Sequence, residues 1–285
     1  MQATRPVNAM TVDVEDWFQV SALTPWVRRE DWETLPRRVG VNTHRVLDLF
    51  AGAGVRATFF TLGWVAERHP DLVRRIVAEG HELASHGWQH VRVIHQGPEE
   101  FRADVIRTKA LLEDLGGVPV RGYRAASYSI GARNLWALEI LAETGHAYSS
   151  SIFPGSHDLY GMPGAPRFRF RPDNAPTLLE VPITTVELGT RRLPAAGGGF
   201  FRLFPYALSR ALLRRVNRED RESGLFYFHP WEIDPAQPRP AGVSGRARLR
   251  HYLNLGRTES RLRRLLADFS WDRMDRVFLE PESAA

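Results

Sequence analysis

Two short stretches of the sequence concentrate groups able to do acid–base or metal chemistry. TVDVEDWF carries Asp13, Glu15 and Asp16, and SHGWQH carries His86 and His90. In an extended chain Asp13 and Glu15 project to the same side, so two carboxylates can share one site. Acidic residues after a strand also cap the turn or helix that follows, the alternative use of the same residues. Two imidazoles four positions apart in a helical turn lie on one face, close enough to hold one ion. The chain contains no cysteine, so any metal must be held by His, Asp or Glu. His229 closes the run LFYFHPWEID, where an apolar strand would deliver one imidazole able to act as a general acid near neutral pH. Arg124, in RGYRAASYSI, is placed to pin a carboxylate by charge-assisted hydrogen bonds. His44, His69, His81, His95, His146, His157 and His251 are assigned to structure or surface.

These groups gain meaning from the elements that must position them. Short β-rich runs alternate with amphipathic helical patterns, the signature of βα units around a parallel sheet. Strands are predicted over residues 7–13, 55–62, 82–85, 120–124, 147–151, 177–182 and 225–229, about seven in all, which points to an α/β fold with a distorted (β/α)7–8 barrel. Asn42 is a plausible N-cap for a helix ended by Gly52 or Gly54, and Pro70 suits the first position of a helix closed by Gly80. Further helices are expected over 98–115, 134–144 and 206–217, with residues 195–199 reading as a flexible segment. The Pro-, Gly- and aromatic-rich residues 153–174 read as a packed loop near the substrate. In the last stretch Tyr252, Leu262, Leu265, Leu266 and Phe269 recur at helical intervals, with Thr258 able to cap the second part. The organisation expected is a barrel domain over 1–240 and a helical extension over 241–285 packed on its outside. Catalytic groups of parallel barrels gather where the strands end, and Asp13, His86, Arg124 and His229 all fall at such ends.

With 285 residues, 43% hydrophobic and 25% charged, the chain has ample material for a buried core. Its pI of about 9.9 rests on a net charge of +5 carried by arginine, Lys109 being the single lysine. No clustered basic stripe or reading motif accompanies it, which argues against nucleic-acid binding. No apolar run of about 18 residues suggests a spanning helix, and residues 1–17 lack a signal peptide's apolar core, so a cytoplasmic location is expected.

Taken together, TVDVEDWF, ATFFTLGWVAERHPDLVRRIVAEGHELASHGWQH, RGYRAASYSI and FYFHPWEID resemble the NodB-type polysaccharide deacetylases of carbohydrate esterase family 4. HYLNLGRTESRLRRLLADF resembles the DUF3473-like tail of the exopolysaccharide-associated (XrtA/PEP-CTERM) branch. The resemblance implies hydrolysis of N-acetyl groups on an amino-sugar polysaccharide, oligosaccharide or precursor, with a divalent metal: Zn2+, or Co2+ or Ni2+. It makes Asp13 the base, His229 the acid, and His86 and His90 metal ligands. The second acid of motif one is ambiguous, because Val14 occupies its usual place; Glu15 is preferred over Asp16. Arg124 maps to the motif-three arginine, and the Tyr128 backbone N–H to an oxyanion donor. Ala126 replaces a customary proline and Ser149 a motif-four Asp, so the tuning of base and acid must be supplied differently. Trp17, Trp88, Tyr160 and Trp231 are candidates for stacking on sugar rings. Two rivals are a same-fold amidohydrolase on a non-sugar C–N bond and a catalytically impaired sugar-binding scaffold.

Overall fold

The computed structural model describes residues 6–156, 161–189 and 191–279; His157 and Tyr160 lie outside them. The strands are β1 (Asn8–Val14), β2 (Thr58–Thr61), β3 (Glu82–Ser85), β4 (Gly122–Tyr123), β5 (Tyr148–Ser149), β6 (Leu179–Glu180), β7 (Thr185–Leu188), β8 (Arg191–Pro194), β9 (Leu225–Phe228) and β10 (Trp271–Asp272). β9, β1, β2, β3, β4, β5 and β6 form one curled parallel sheet with helices packed outside, a distorted α/β barrel. Among the described residues no ladder joins β6 to β9. That gap is spanned by the antiparallel β7–β8 hairpin and by the Leu225 N–H donating to the Thr184 hydroxyl at 2.6 Å.

Central β1 is buried along its whole length, both faces being covered. Its polar side chains are therefore all partnered: Asn8 accepts from the Gly224 N–H at 2.7 Å, and the Thr11 hydroxyl donates to the Phe226 carbonyl at 2.9 Å. The first long helix, Val39–Ala53, packs Val46, Leu47 and Phe50 against the sheet and ends at Gly54, whose φ is 64°. Asn42 lies inside this helix and is not its cap; its amide donates to Asp234 Oδ2 at 3.0 Å. The free N–H groups of Arg38 and Val39 at the helix start are taken by Asp16 Oδ2 at 2.7 and 3.0 Å. Pro70 opens the helix Pro70–Ala78 as predicted, with Gly80 just beyond it at φ 79°.

The C-terminal region departs most from expectation. Residues 195–199 are a tight corner: Gly197, at φ 91°, packs on Tyr227 so closely that a Cβ would sit 2.2 Å from the ring, and it launches the helix Gly198–Leu203. The tail forms two helices, Gly245–Tyr252 and Leu255–Asp268, and the second buries Leu262, Leu265 and Leu266. Thr258 does not cap it, since its hydroxyl bonds back to the Asn254 carbonyl at 3.2 Å from within the helix. The chain then re-enters the sheet. β10 pairs with Asn8 and Ala9, and Met274 and Phe278 are buried in one cluster with Ala9, Phe60 and Leu225. Among the described residues no helix is long and apolar enough to cross a membrane.

Candidate active site

At the end of β1 the chain turns tightly, the Glu15 N–H donating to the Asp13 carbonyl at 3.0 Å, and both carboxylates reach one cavity. Arg124, fully buried at the end of β4, donates through Nη1 to Asp13 Oδ1 at 2.5 Å and to the Thr11 hydroxyl at 2.8 Å. Its guanidinium is packed over the Phe60 ring at 3.9 Å. Burial works against the charge on Arg124, but the carboxylate of Asp13 outweighs it and the pKa is raised. The pair leaves Asp13 Oδ2 facing the cavity, 3.9 Å from His229 Nε2.

His86 follows β3, and its Nδ1 faces the Arg124 carbonyl oxygen at 2.8 Å. That contact requires Nδ1–H, leaving Nε2 as the free acceptor, the arrangement usual for a metal-binding imidazole. His90 reaches the same place by a route the sequence did not suggest. Residues 86–90 form no helical turn but an irregular loop with Gly87 at φ 73° and His90 at φ 53°. A non-glycine residue in that region is uncommon and collects at functional sites. His90 Nε2 lies 3.0 Å from Glu15 Oε2, and the two imidazole rings are 5.2 Å apart.

Ligand atoms of Glu15, His86 and His90 all fall within 4.8 Å of one another. Three observations make this set fit a divalent cation. Glu15 Oε2 is buried without a hydrogen bond, since the nearby His90 nitrogen does not meet donor geometry. Burial pushes the Glu15 carboxyl up to about 7, against the pull of His229, so the protein alone leaves its charge incompletely compensated. Burial also lowers His86, and His90 strongly, favouring the neutral imidazoles a metal needs. Asp16 is not in this set. Its Oδ1 accepts from the Trp17 N–H at 2.9 Å and its Oδ2 caps the helix at Val39, so both oxygens are spent on backbone. Burial lifts Asp16 to about 6 despite those donors.

His229 closes the cavity from β9. Its Nδ1 sits 2.6 Å from Glu232 Oε1, which also accepts the His229 backbone N–H at 3.1 Å, while Nε2 lies 3.3 Å from Glu15 Oε1. Burial alone would lower this imidazole; Glu15 and Glu232 outweigh it and hold it at about 9. Burial would likewise raise Glu232, but Arg202, donating Nε–H at 2.6 Å, and His229 bring it down to about 2. Arg202 is itself fixed by the carbonyls of His251, Leu253 and Arg250. Trp231 is stacked between His229 and His251, with ring centroids 5.1 and 4.3 Å away. Glu232 and Arg202 hold His229 in place, directly and through Glu232, and the motifs alone did not point to them. The signal was the x-P-x-E spacing after His229, in which a glutamate reaches back to the N-cap residue.

Two expectations change, for the Tyr128 N–H and for the stacking aromatics. The Tyr128 N–H donates to the Ala125 carbonyl at 3.0 Å, because Ser127 and Tyr128 turn through positive φ there; the residue lines the cavity with its side chain and is not an oxyanion donor in this geometry. Ser149 does not reach His229: its hydroxyl donates to Ser151 at 2.8 Å. Trp17 bonds the Pro36 carbonyl and Trp88 lies under Arg107, so among the described aromatics proposed for sugar stacking Trp231 alone lines the cavity.

Residues 33–149 match the polysaccharide deacetylase family model, and residues 150–279 match DUF3473, a domain of unknown function. The chain thus carries a polysaccharide deacetylase domain followed by a DUF3473 domain. His86, His90 and Arg124 lie in the first, and His229, Glu232 and Arg202 in the second. Among curated proteins it is similar to a peptidoglycan-N-acetylglucosamine deacetylase of Bacillus cereus, 35% identical over 98 residues that make up 34% of this chain and 36% of the relative. A chitooligosaccharide deacetylase of Bradyrhizobium is 31% identical over 39% of this chain and 48% of its own length. The chain therefore matches less than half the length of these two relatives. A solved structure from Mycobacterium smegmatis, assigned to the polysaccharide deacetylases, superposes with a TM-score of 0.63 over 97% of this chain and 90% of that one, at 20% identity, and shows the shared fold.

Proposed function

We propose that the protein is a metal-dependent hydrolase that removes N-acetyl groups from an amino-sugar polymer or its precursor, acting in exopolysaccharide assembly. The observation that carries this reading is the convergence on one cavity of a buried carboxylate pinned by arginine, a Glu/His/His cluster and an imidazole held protonated by a second carboxylate. A second support is the kinship of the N-terminal domain to named deacetylases of N-acetylated sugars. The exopolysaccharide role rests on the resemblance of HYLNLGRTESRLRRLLADF to the tail of the exopolysaccharide-associated branch.

Glu15 Oε2, His86 Nε2 and His90 Nε2 would hold the cation, with Zn2+ the first choice and Co2+ or Ni2+ able to replace it. When bound, a divalent ion supplies Lewis-acid polarisation of an acetamide carbonyl and of water. Asp13, oriented through Oδ1 by Arg124, accepts the proton of the attacking water at Oδ2. His229 presents Nε2–H to the cavity and donates that proton to the departing amine. With Glu15 engaged on a cation, Glu232 is the group left to keep the His229 proton in place. The buried Arg124 fixes the position of the base, so that the water and the acetamide meet it in one geometry.

The test is acetate release from N-acetylated chitooligosaccharides by protein reconstituted with zinc, beside Asp13→Asn and His86→Ala with their metal contents. Release that both substitutions abolish, with metal lost only in His86→Ala, is the expected result. A metal-loaded protein that releases acetate from no N-acetylated sugar would sink the reading.

A further inference from the structure

Beyond the polar groups, the cavity changes character. Its volume is about 370 Å3, within the usual range of small-molecule sites. Asp13, Glu15, His86, His90 and His229 line it together with Phe200, Leu203, Leu249 and Leu253, which come with Arg202, Arg246 and Arg250 from two helices of the DUF3473 region and the cap of the second. Phe200 and Leu203 are three apart on Gly198–Leu203, and Leu249 lies four before Leu253 at the end of Gly245–Tyr252, so each pair occupies one helical face. Val20 and Ala22 extend the apolar lining from the loop after β1. Leu203 is 56% exposed and Leu249 63%, and both belong to this lining. Tyr128, Tyr227 and Trp231 supply aromatic faces nearer the polar groups, whereas the aliphatic side chains offer no partner to sugar hydroxyls. The hydroxyls of Ser21 and Ser127, which also line the cavity, are bonded to each other at 2.6 Å.

We propose that this wall seats a hydrocarbon aglycone, so that the preferred substrate is an amphipathic glycoside, an N-acetylated amino sugar carried on an apolar chain. The inference rests on the deacetylase reading for the reacting end and on the cavity's continuity for the other. The sugar's acetamide enters the polar end while the attached chain leaves across Leu203 and Leu249. The DUF3473 region thereby shapes the seat for the group to which the sugar is attached.

The test is kcat/KM of the zinc-reconstituted full chain on methyl, butyl, hexyl and octyl β-N-acetylglucosaminides, all below their critical micelle concentrations, with the Leu203→Ser/Leu249→Ser double variant alongside. Both positions are exposed, so the double variant is expected to fold. Each added methylene that reaches the wall should raise kcat/KM by up to roughly fourfold, chiefly through KM. The double variant should flatten that slope, whatever its rate on the methyl glycoside. A slope of zero, or one unchanged by the double variant, overturns the proposal. If no N-acetylated sugar is turned over, the deacetylase reading falls, and the wall is tested by the same glycosides in binding titrations read by tryptophan fluorescence. Kd that tightens with chain length in wild type but not in the double variant then supports the seat, and Kd indifferent to chain length removes it. Should the double variant instead convert a dimer to a monomer, or abolish binding to phosphatidylcholine vesicles while the glycosides show no chain dependence, the wall is an interface and the assignment is overturned.

Discussion

The two halves of the cavity are built on opposite physical terms. The floor, from β1, β3 and β4, is buried and polar: Asp13, Glu15, His86, His90 and Arg124 are held by backbone carbonyls, by one another and by the sheet. The side that closes over it comes from the DUF3473 region, where His229 is partly open and Leu203 and Leu249 face solvent. Strand ends fix a few atoms to fractions of an ångström; helices at a rim offer surface and tolerate change. On the proposed reading the base and the metal ligands sit on this floor, while the acid His229 and the apolar lining belong to the other side.

That contrast is broken most sharply by asking which half controls the metal. His86→Ala removes one of the three proposed ligands and should lower bound zinc and reduce deacetylation by on the order of a thousandfold or more, read by elemental analysis and acetate release. Glu232→Gln, on the other side, should keep the metal and lower kcat by about ten- to a hundredfold with little change in KM, because an amide oxygen can still accept the His229 Nδ1–H but the negative charge that keeps the imidazole protonated is gone. The same change leaves Arg202 buried without its carboxylate and should cost roughly 3 kcal/mol or more in urea unfolding. Zinc loss in Glu232→Gln would mean that the two halves are one unit.

Proton linkage sharpens the comparison further in metal-free protein. His229 is raised from 6.5 to about 9, so its stabilisation is complete below pH 6.5 and is lost as pH rises through about 9. Glu232 is lowered from 4.5 to about 2, so its contribution is complete above pH 4.5 and is lost as pH falls through about 2. The stability difference between metal-free wild type and His229→Gln in thermal unfolding should therefore shrink as pH rises from about 7, above which Glu15 is charged, through about 9, where His229 loses its proton. Curves that stay parallel over that range would show that His229 carries no such charge in the folded chain.

How much of this was legible in the sequence follows the same divide. In the first half, apolar runs bounded by turn residues located β1 through β5, and the positional rule for barrels brought Asp13, His86, Arg124 and, from β9, His229 to one end. Local spacing failed where tertiary context chose the backbone. His90 converges through a left-handed residue and not through a helical turn, and the Tyr128 N–H, which the family resemblance pointed at an oxyanion, is committed inside a tight turn. The second half hid more. The β7–β8 hairpin and two-residue β10 are too short for periodicity to register, and Arg202 lies 30 residues from its partner Glu232, a distance that leaves no pattern in one sequence. Gly197 looked like flexibility because a glycine needed for close approach to Tyr227 is indistinguishable, by type, from one in a linker.

The smallest predicted effect separates two neighbours that the sequence left ambiguous. Glu15 and Asp16 are both buried acids whose carboxyl groups burial pushes upward, to about 7 and about 6. What differs is the use of their oxygens. Asp16 spends both on the N–H groups of Trp17, Arg38 and Val39, whereas Glu15 leaves Oε2 unbonded beside two imidazoles. Asp16→Asn should therefore leave bound zinc unchanged and cost only about 1 kcal/mol, since an amide oxygen still accepts at the helix start while its NH2 cannot replace the second acceptor. Glu15→Gln, with the same loss of charge one residue earlier, should lose most of the metal. Equal zinc loss in the two variants would mean that the cation draws on Asp16 as well, at the expense of the cap on Val39–Ala53.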